Sequence, residues 1–209
     1  MLLTVTIICA YLAGSIPSAV WIGRMVSGVD IREHGSGNMG ATNLARVVGV
    51  RYAFIAAVVD IAKGFAPVFW LGPIAASETA FGLAEARLIL AAAAIIGHLY
   101  PVFASFKGGK GVLTATGAFL AMLPLDVGIA LIVWVIVFSL TRIVSLGSLI
   151  AAAALLASVC IRRFAFDAAV PESLLVATAV IAILVFVTHR SNIKRLIAGT
   201  ESSFKRREE

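Results

Sequence analysis

Tyr52 to Leu71, YAFIAAVVDIAKGFAPVFWL, decides the class of fold. A helix needs about 20 largely apolar residues to cross the hydrocarbon core of a bilayer, and this run supplies them. Similar runs recur along the chain, and with 61% hydrophobic residues and a mean hydropathy of +1.03 it exceeds what a soluble core of 209 residues requires. The sequence therefore predicts an all-α integral membrane protein, one polytopic domain over 1–209 with a charged tail from about 197. Within the opening run, Asp60 and Lys63 lie one helical turn apart on one face. Ionisable groups at that depth must be paired or face a polar cavity. They read either as a mutually neutralising pair supporting a polar site or as part of that site.

Outward from this run the expected spans are Leu2 to Met25, interrupted by the polar kink Gly14-Ser15-Ile16-Pro17-Ser18; Leu88 to Phe103; Val112 to Leu123; Val127 to Leu140; Val144 to Ile161; and Leu174 to Val187. The Val112 to Leu123 segment is short enough to be a re-entrant piece instead. The N-terminal run lacks a basic lead and is followed by many others, so it reads as a retained first span. Cys9 and Cys160 both fall inside spans, and no disulfide framework or CxxC metal site is expected.

Seven spans put the termini on opposite sides, and charge selects which is which. With the C-terminus cytoplasmic, that face holds Arg24, Arg32, Arg46, Arg51, Lys107, Lys110, Arg142, Arg190, Lys194, Arg195, Lys205, Arg206 and Arg207, and the other only Arg87, Arg162 and Arg163. The positive-inside rule thus predicts N-terminus out and C-terminus in. The net charge of +6 is scattered between apolar runs, which favours anionic lipid and anionic substrates over nucleic acid.

Three polar motifs then share the cytoplasmic face. His34 to Arg46, HGSGNMGATNLAR, has glycines that let successive backbone N–H groups converge, short side-chain donors in Ser36, Asn38, Thr42 and Asn43, and a short helix predicted over Ala41 to Val48. Phe106 to Gly111, FKGGKG, follows the logic of a phosphate loop ahead of a helix but lacks the GxxxxGK[ST] spacing. The third is Thr188 to Leu196, THRSNIKRL. Arg46, Lys107, Lys110, Arg190 and Arg195 add positive charge where cytosol meets hydrocarbon. That suits a phosphate-bearing polar substrate meeting a lipid-like one.

Other chemistries lack their signatures. There is no HExxH, no zinc-ligand spacing and no GxSxG elbow, and the fifth residues after His34, His98 and His189 are Met39, Phe103 and Lys194, so no His-x4-Asp pair occurs. His98, beside Tyr100 and Pro101, reads as a packing or supporting group. A transporter of an anionic solute is the competing reading, since broken helices aimed at anions also serve transport. Against it, no inverted repeat is visible and the polar motifs cluster on one face. A non-catalytic scaffold leaves the glycine- and cation-rich motifs without a purpose.

Taken together, SGNMGATNLAR at Ser36 to Arg46, FKGGKG at Phe106 to Gly111 and HRSNIKRL at His189 to Leu196 resemble the motifs of the bacterial acyl-phosphate-dependent glycerol-3-phosphate acyltransferases, the PlsY family. GSIPSA at Gly14 to Ala19, the Asp60 and Lys63 pair and GHLYPVF at Gly97 to Phe103 are similar to that family too, in the same order along almost the whole chain. The resemblance implies transfer of a fatty acyl group from acyl phosphate, not acyl-CoA or acyl carrier protein, to the 1-hydroxyl of sn-glycerol 3-phosphate. The products would be lysophosphatidic acid and phosphate. It also implies seven spans in the bacterial cytoplasmic membrane with the site facing the cytoplasm. No metal, other cofactor or obligate protein partner is expected.

On that reading the Ser36, Asn38, Gly40, Thr42 and Asn43 turn, with Arg46, grips one phosphate and the carbonyl region. Lys110 with the backbone of Gly108, Gly109 and Gly111 cradles phosphate, and Lys107 contacts phosphate at the lipid surface. His189 and Asn192, three residues apart, face the glycerol moiety. His189 is either a general base or only an orienting group, with a substrate phosphate oxygen taking the proton.

Overall fold

The computed structural model describes residues 1–77, 79–80 and 82–204; Glu78, between the expected spans that end at Leu71 and begin at Leu88, and Lys205, Arg206 and Arg207 of the expected tail lie outside them. The described residues contain helices and turns without a strand. Four helical stretches are long and apolar enough to cross a membrane: Val50–Ser77, Leu83–Ala104, Pro124–Thr141 and Val144–Phe164. Two bent pairs, Leu2–Gly14 with Ser18–Ser27 at 40° and Glu172–Thr188 with Arg190–Ile197 at 61°, raise the number to six if each counts as one span. The expected Val112 to Leu123 segment is a helix of nine residues, Val112–Leu120. At 1.5 Å per residue it reaches about 14 Å, half of a bilayer core.

The chain forms two compact units, residues 1–122 and residues from Leu123 onward. Unit 1 contains α1 (Leu2–Gly14), α2 (Ser18–Ser27), α3 (Ala41–Val47), α4 (Val50–Ala66), α5 (Gly72–Ser77), α6 (Leu83–Leu99) and α7 (Val112–Leu120). Its helices meet backbone to backbone through small residues. A Cβ on Gly64 of α4 would stand 2.0 Å from the Thr114 carbonyl oxygen, and one on Gly117 of α7 would stand 1.9 Å from that of Ile61. Such close approach is how helices gain contact where lipid offers no hydrophobic drive. Pro67, which has no N–H to donate, does not stop α4 but turns it through a π-helical turn, Pro67–Leu71, into α5.

Unit 2 contains α8 (Pro124–Thr141), α9 (Val144–Phe164), α10 (Glu172–Thr188) and α11 (Arg190–Ile197). Helices α8 and α9 are clamped at one end by Asp126, which is fully buried and accepts from Ser158 Oγ at 2.7 Å and from the Arg162 guanidinium. At their other end Arg142, in the left-handed conformation, closes α8 and reverses the chain into α9.

Candidate active site

In unit 1 the first motif is a loop folded around one buried side chain. Asn43 is 1% exposed. Its Oδ1 accepts from the Ser36 N–H at 2.8 Å, while Nδ2 donates to the carbonyls of Ile31 at 2.6 Å and His34 at 3.1 Å. Both side-chain hydrogens of Asn43 are thus committed to the loop's own backbone, and its position shapes the turn instead of presenting a donor outward. Asn38 acts similarly, its Oδ1 accepting from the Gly40 N–H at 3.0 Å. Gly35 and Gly37 hold φ of 62° and 69°, the left-handed region that only glycine enters without strain. Gly40 precedes the first turn of α3, Thr42 lies half-buried within that turn, and Ser36 and Arg46 are exposed.

Next to this loop, Asp30 is gripped by two guanidiniums. Arg32 donates to it through Nε at 3.0 Å and Nη2 at 2.7 Å, and Arg24 through Nη2 at 2.7 Å. The Arg32 hydrogen bond, more than any other contact, holds the Asp30 carboxyl far below the usual carboxylate range.

The second motif sits over the same apolar cluster as the first. Met39 of the first loop and Ala104, just before the KGGKG loop, are both buried in a cluster with Ala19, Val20, Ile31 and Leu44. The structure therefore brings the two glycine-rich motifs of unit 1 onto a shared base. Lys107 is exposed, Gly108, Gly109 and Lys110 are half-buried, and Gly111, at φ 78°, leads into α7.

Beneath lies a buried polar network. Lys63 Nζ is 2.8 Å from Asp60 Oδ1 and donates to the Ile16 carbonyl at 2.7 Å. Ser18 Oγ donates to Asp60 Oδ1 at 2.7 Å. His98 Nδ1 lies 3.1 Å from Thr114 Oγ1 and 3.9 Å from Asp60 Oδ1. Of the two readings of Asp60 and Lys63, the geometry is that of a neutralising pair, 1% and 5% exposed, that joins the α1–α2 break to α4 and α6.

In unit 2 the third motif is the bend between α10 and α11. His189, 3% exposed, has Nδ1 at 2.8 Å from the Val185 carbonyl. A carbonyl only accepts, so Nδ1 carries a hydrogen and donates it. Asn192, 7% exposed, donates through Nδ2 to Glu201 Oε1 at 2.6 Å. Glu201 was not among the residues expected from sequence, and it binds three side chains: Asn192, Ser145 Oγ at 2.7 Å and Arg195 Nε at 2.6 Å. It reaches them because α11 ends in a Schellman turn. Gly199, at φ 67°, donates to the Leu196 carbonyl and Thr200 to that of Arg195, reversing the chain onto its own helix. A glycine straight after a basic helix was the available signal.

These sites stand on a chain whose relatives are known. The family model described as glycerol-3-phosphate acyltransferase matches residues 4–199. The chain belongs to the PlsY family of glycerol-3-phosphate acyltransferases. It is 46% identical over 209 residues to the glycerol-3-phosphate acyltransferase of Salinibacter ruber, covering 96% of this chain and 91% of that one. It is 44% identical to that of Trichlorobacter lovleyi, with 94% of each chain covered. Among solved structures it is similar to crystal structures of PlsY, an integral membrane glycerol 3-phosphate acyltransferase, in a glycerol 3-phosphate form and a lysophosphatidic acid form. The TM-scores are 0.83 and 0.81 at 36% and 35% identity, each covering 97% of this chain and 96% and 95% of the others. The family makes this chain an integral membrane acyltransferase of phospholipid synthesis.

The Glu201 cluster predicts a pH dependence. Burial raises the Glu201 carboxyl, but the hydrogen bonds from Ser145, Asn192 and Arg195 outweigh it and hold the group below its usual range. A carboxyl depressed on folding contributes stability that is complete above its unfolded value of about 4.3 and is lost as pH falls through the folded one. Phe204 touches Phe138, and Phe138 stacks on Trp134, so tryptophan fluorescence reports the folded-back segment. The emission should stay constant from neutral pH down to the carboxylate range and change below it, and Glu201→Gln should show the changed emission already at neutral pH.

Proposed function

We propose that this chain transfers a fatty acyl group from acyl phosphate to the 1-hydroxyl of sn-glycerol 3-phosphate, releasing lysophosphatidic acid and inorganic phosphate. The observation that carries the reading is the likeness, over nearly the full chain, to a PlsY solved in glycerol 3-phosphate and lysophosphatidic acid forms, an acceptor and its acylated counterpart. The proposed topology is seven crossings of a bacterial cytoplasmic membrane, the four long stretches, the two bent pairs and the short α7 with the loop that leads into it, with the C-terminus and the polar motifs on the cytoplasmic side.

The donor is proposed on chemical grounds. An acyl phosphate is a mixed anhydride, already activated, so the protein need not supply a covalent nucleophile; positioning and charge stabilisation suffice. Both substrates carry phosphate, and unit 1 supplies two glycine-rich loops with Arg46 and Lys110 to hold anions. Ser36 and Thr42 carry hydroxyls on the first loop that serve phosphate or the developing oxyanion; Gly40, whose N–H is held by Asn38, stands at the start of α3, and Asn38 and Asn43 keep the loop's shape. Gly108 and Gly111 present the second loop's backbone, Gly109, its N–H held by the His98 carbonyl, fixes the loop's course, and Lys107 contacts phosphate at the lipid surface. His189 and Asn192 are proposed for the glycerol moiety.

In the reaction the 1-hydroxyl oxygen attacks the carbonyl carbon, the carbon–oxygen bond to phosphate breaks, and phosphate leaves with the electron pair. The hydroxyl proton goes to that phosphate, because an expelled trianion is far more basic than imidazole. His189 Nε2 accepts the hydroxyl's hydrogen bond and orients it. Its Nδ1 partner is a neutral carbonyl, which stabilises an imidazolium less than a carboxylate does.

The test compares palmitoyl phosphate with palmitoyl-CoA as donors to glycerol 3-phosphate, using purified protein in lipid. Lysophosphatidic acid is expected from the acyl phosphate alone, and its formation from the thioester instead would overturn the donor assignment. His189→Gln, which keeps a hydrogen-bond acceptor, is expected to lower kcat by less than the roughly 100-fold that loss of a general base brings. A larger fall would put the proton on the imidazole.

A further inference from the structure

His98 is a histidine that the proposed reaction does not use, yet the KGGKG loop is built against it. The Gly109 N–H donates to the His98 carbonyl at 3.2 Å. A Cβ added to Gly109 would stand 2.4 Å from His98 Nε2, 3.3 Å from Cε1 and 3.4 Å from Cδ2, so the three atoms nearest to it all belong to this one ring. Gly108 presses on the same turn: its Cβ would stand 2.2 Å from the carbonyl oxygens of both His98 and Leu99. On its other edge the imidazole is fixed, with Nδ1 at 3.1 Å from Thr114 Oγ1 in the first turn of α7 and at 3.9 Å from Asp60 Oδ1. Thr114 is fully buried and His98 is 4% exposed.

One ring therefore spans the loop from its middle to the helix it enters. We propose that His98 is a positioning residue for the phosphate loop, its imidazole setting where Gly109, and with it Lys110, stands. Asp60, held by Lys63 and Ser18, and Thr114 set the ring in turn. Glycine at 109 is then required by the ring that occupies the place of a side chain, since the backbone there lies outside the left-handed region.

The proposal rests on the reading of the loop as a phosphate cradle, and the two can fail separately. Wild-type acyl transfer tests that reading, whereas the coupling between positions 98 and 109 tests this one. The experiment is a double-mutant cycle in the full-length protein, with Gly109→Ala and His98→Asn, scored by kcat and by KM for each substrate, with thermal midpoints measured alongside. Asn keeps a polar group where Nδ1 stands and vacates the space of Nε2 and Cε1. Gly109→Ala is expected to cost about tenfold in kcat/KM beside His98 but under about threefold in the His98→Asn background, a coupling of ordinary size for residues in contact. The loss should appear in KM for a phosphate-bearing substrate, with kcat at saturation little changed. Multiplicative losses, or a fall in kcat with both KM values unchanged, would overturn the proposal. If His98→Asn does not fold, Thr114→Val removes the ring's Nδ1 partner and leaves the ring in place. A rise in the same KM supports positioning, and unaltered KM values reject it.

Discussion

An ammonium group inside a membrane span must find acceptors there, and Lys63 finds two. One is the carboxylate of Asp60, a turn away. The other is the carbonyl of Ile16, which is available because the chain stops being helical between α1 and α2. An intact helix would have used that carbonyl for itself. The break thus serves the charge: the Ile16 carbonyl, which also accepts from the Ser18 N–H at 3.0 Å, is the acceptor without which Lys63 has only Asp60. Ser18, the first residue after the break, completes the carboxylate's hydrogen bonding. Removing one member of such a group leaves an uncompensated charge, which costs about 3–5 kcal/mol where the site is buried.

From that anchor a pattern extends through both units. The polar side chains that look most ready for a ligand are turned onto the protein's own backbone or onto each other. Asn43 ties three points of the first loop together, His98 underlies the second, and Glu201 gathers Ser145, Asn192 and Arg195 in the C-terminal segment. What the loops then leave exposed includes Ser36 and the cationic Arg46 and Lys107. That suits phosphate, whose oxygens accept from many directions and whose charge rewards preorganised donors.

The helical membrane fold was legible because hydrocarbon thickness imposes a length on apolar runs that composition alone reveals, as in Tyr52 to Leu71. The first two motifs were legible because glycine beside cations stands out in such a chain, and the third because polar and basic residues follow directly on an apolar span. Less could be read about who serves whom. Asn43 and Asn38 carry donors suited to phosphate, and nothing in SGNMGATN tells an amide that faces a ligand from one that braces a turn. The acceptor of Lys63 is a carbonyl, which every residue has, so sequence could name the pair with Asp60 but not the third partner at Ile16. His98 read as a packing or supporting group, without a residue to support, because its contact is with Gly109, which has no side chain to suggest it. Glu201 sat in a tail of mixed charges, and only the Gly199 turn brings it back to α11.

On the proposed reading the loops hold and orient anions, and the acyl group moves in one step from one oxygen to another, without passing through the protein. The most direct test is exchange of labelled inorganic phosphate into palmitoyl phosphate by the purified protein with glycerol 3-phosphate left out. A direct transfer predicts no exchange until the acceptor is added. Exchange in its absence would require an acyl group held covalently by the protein, and would contradict direct transfer.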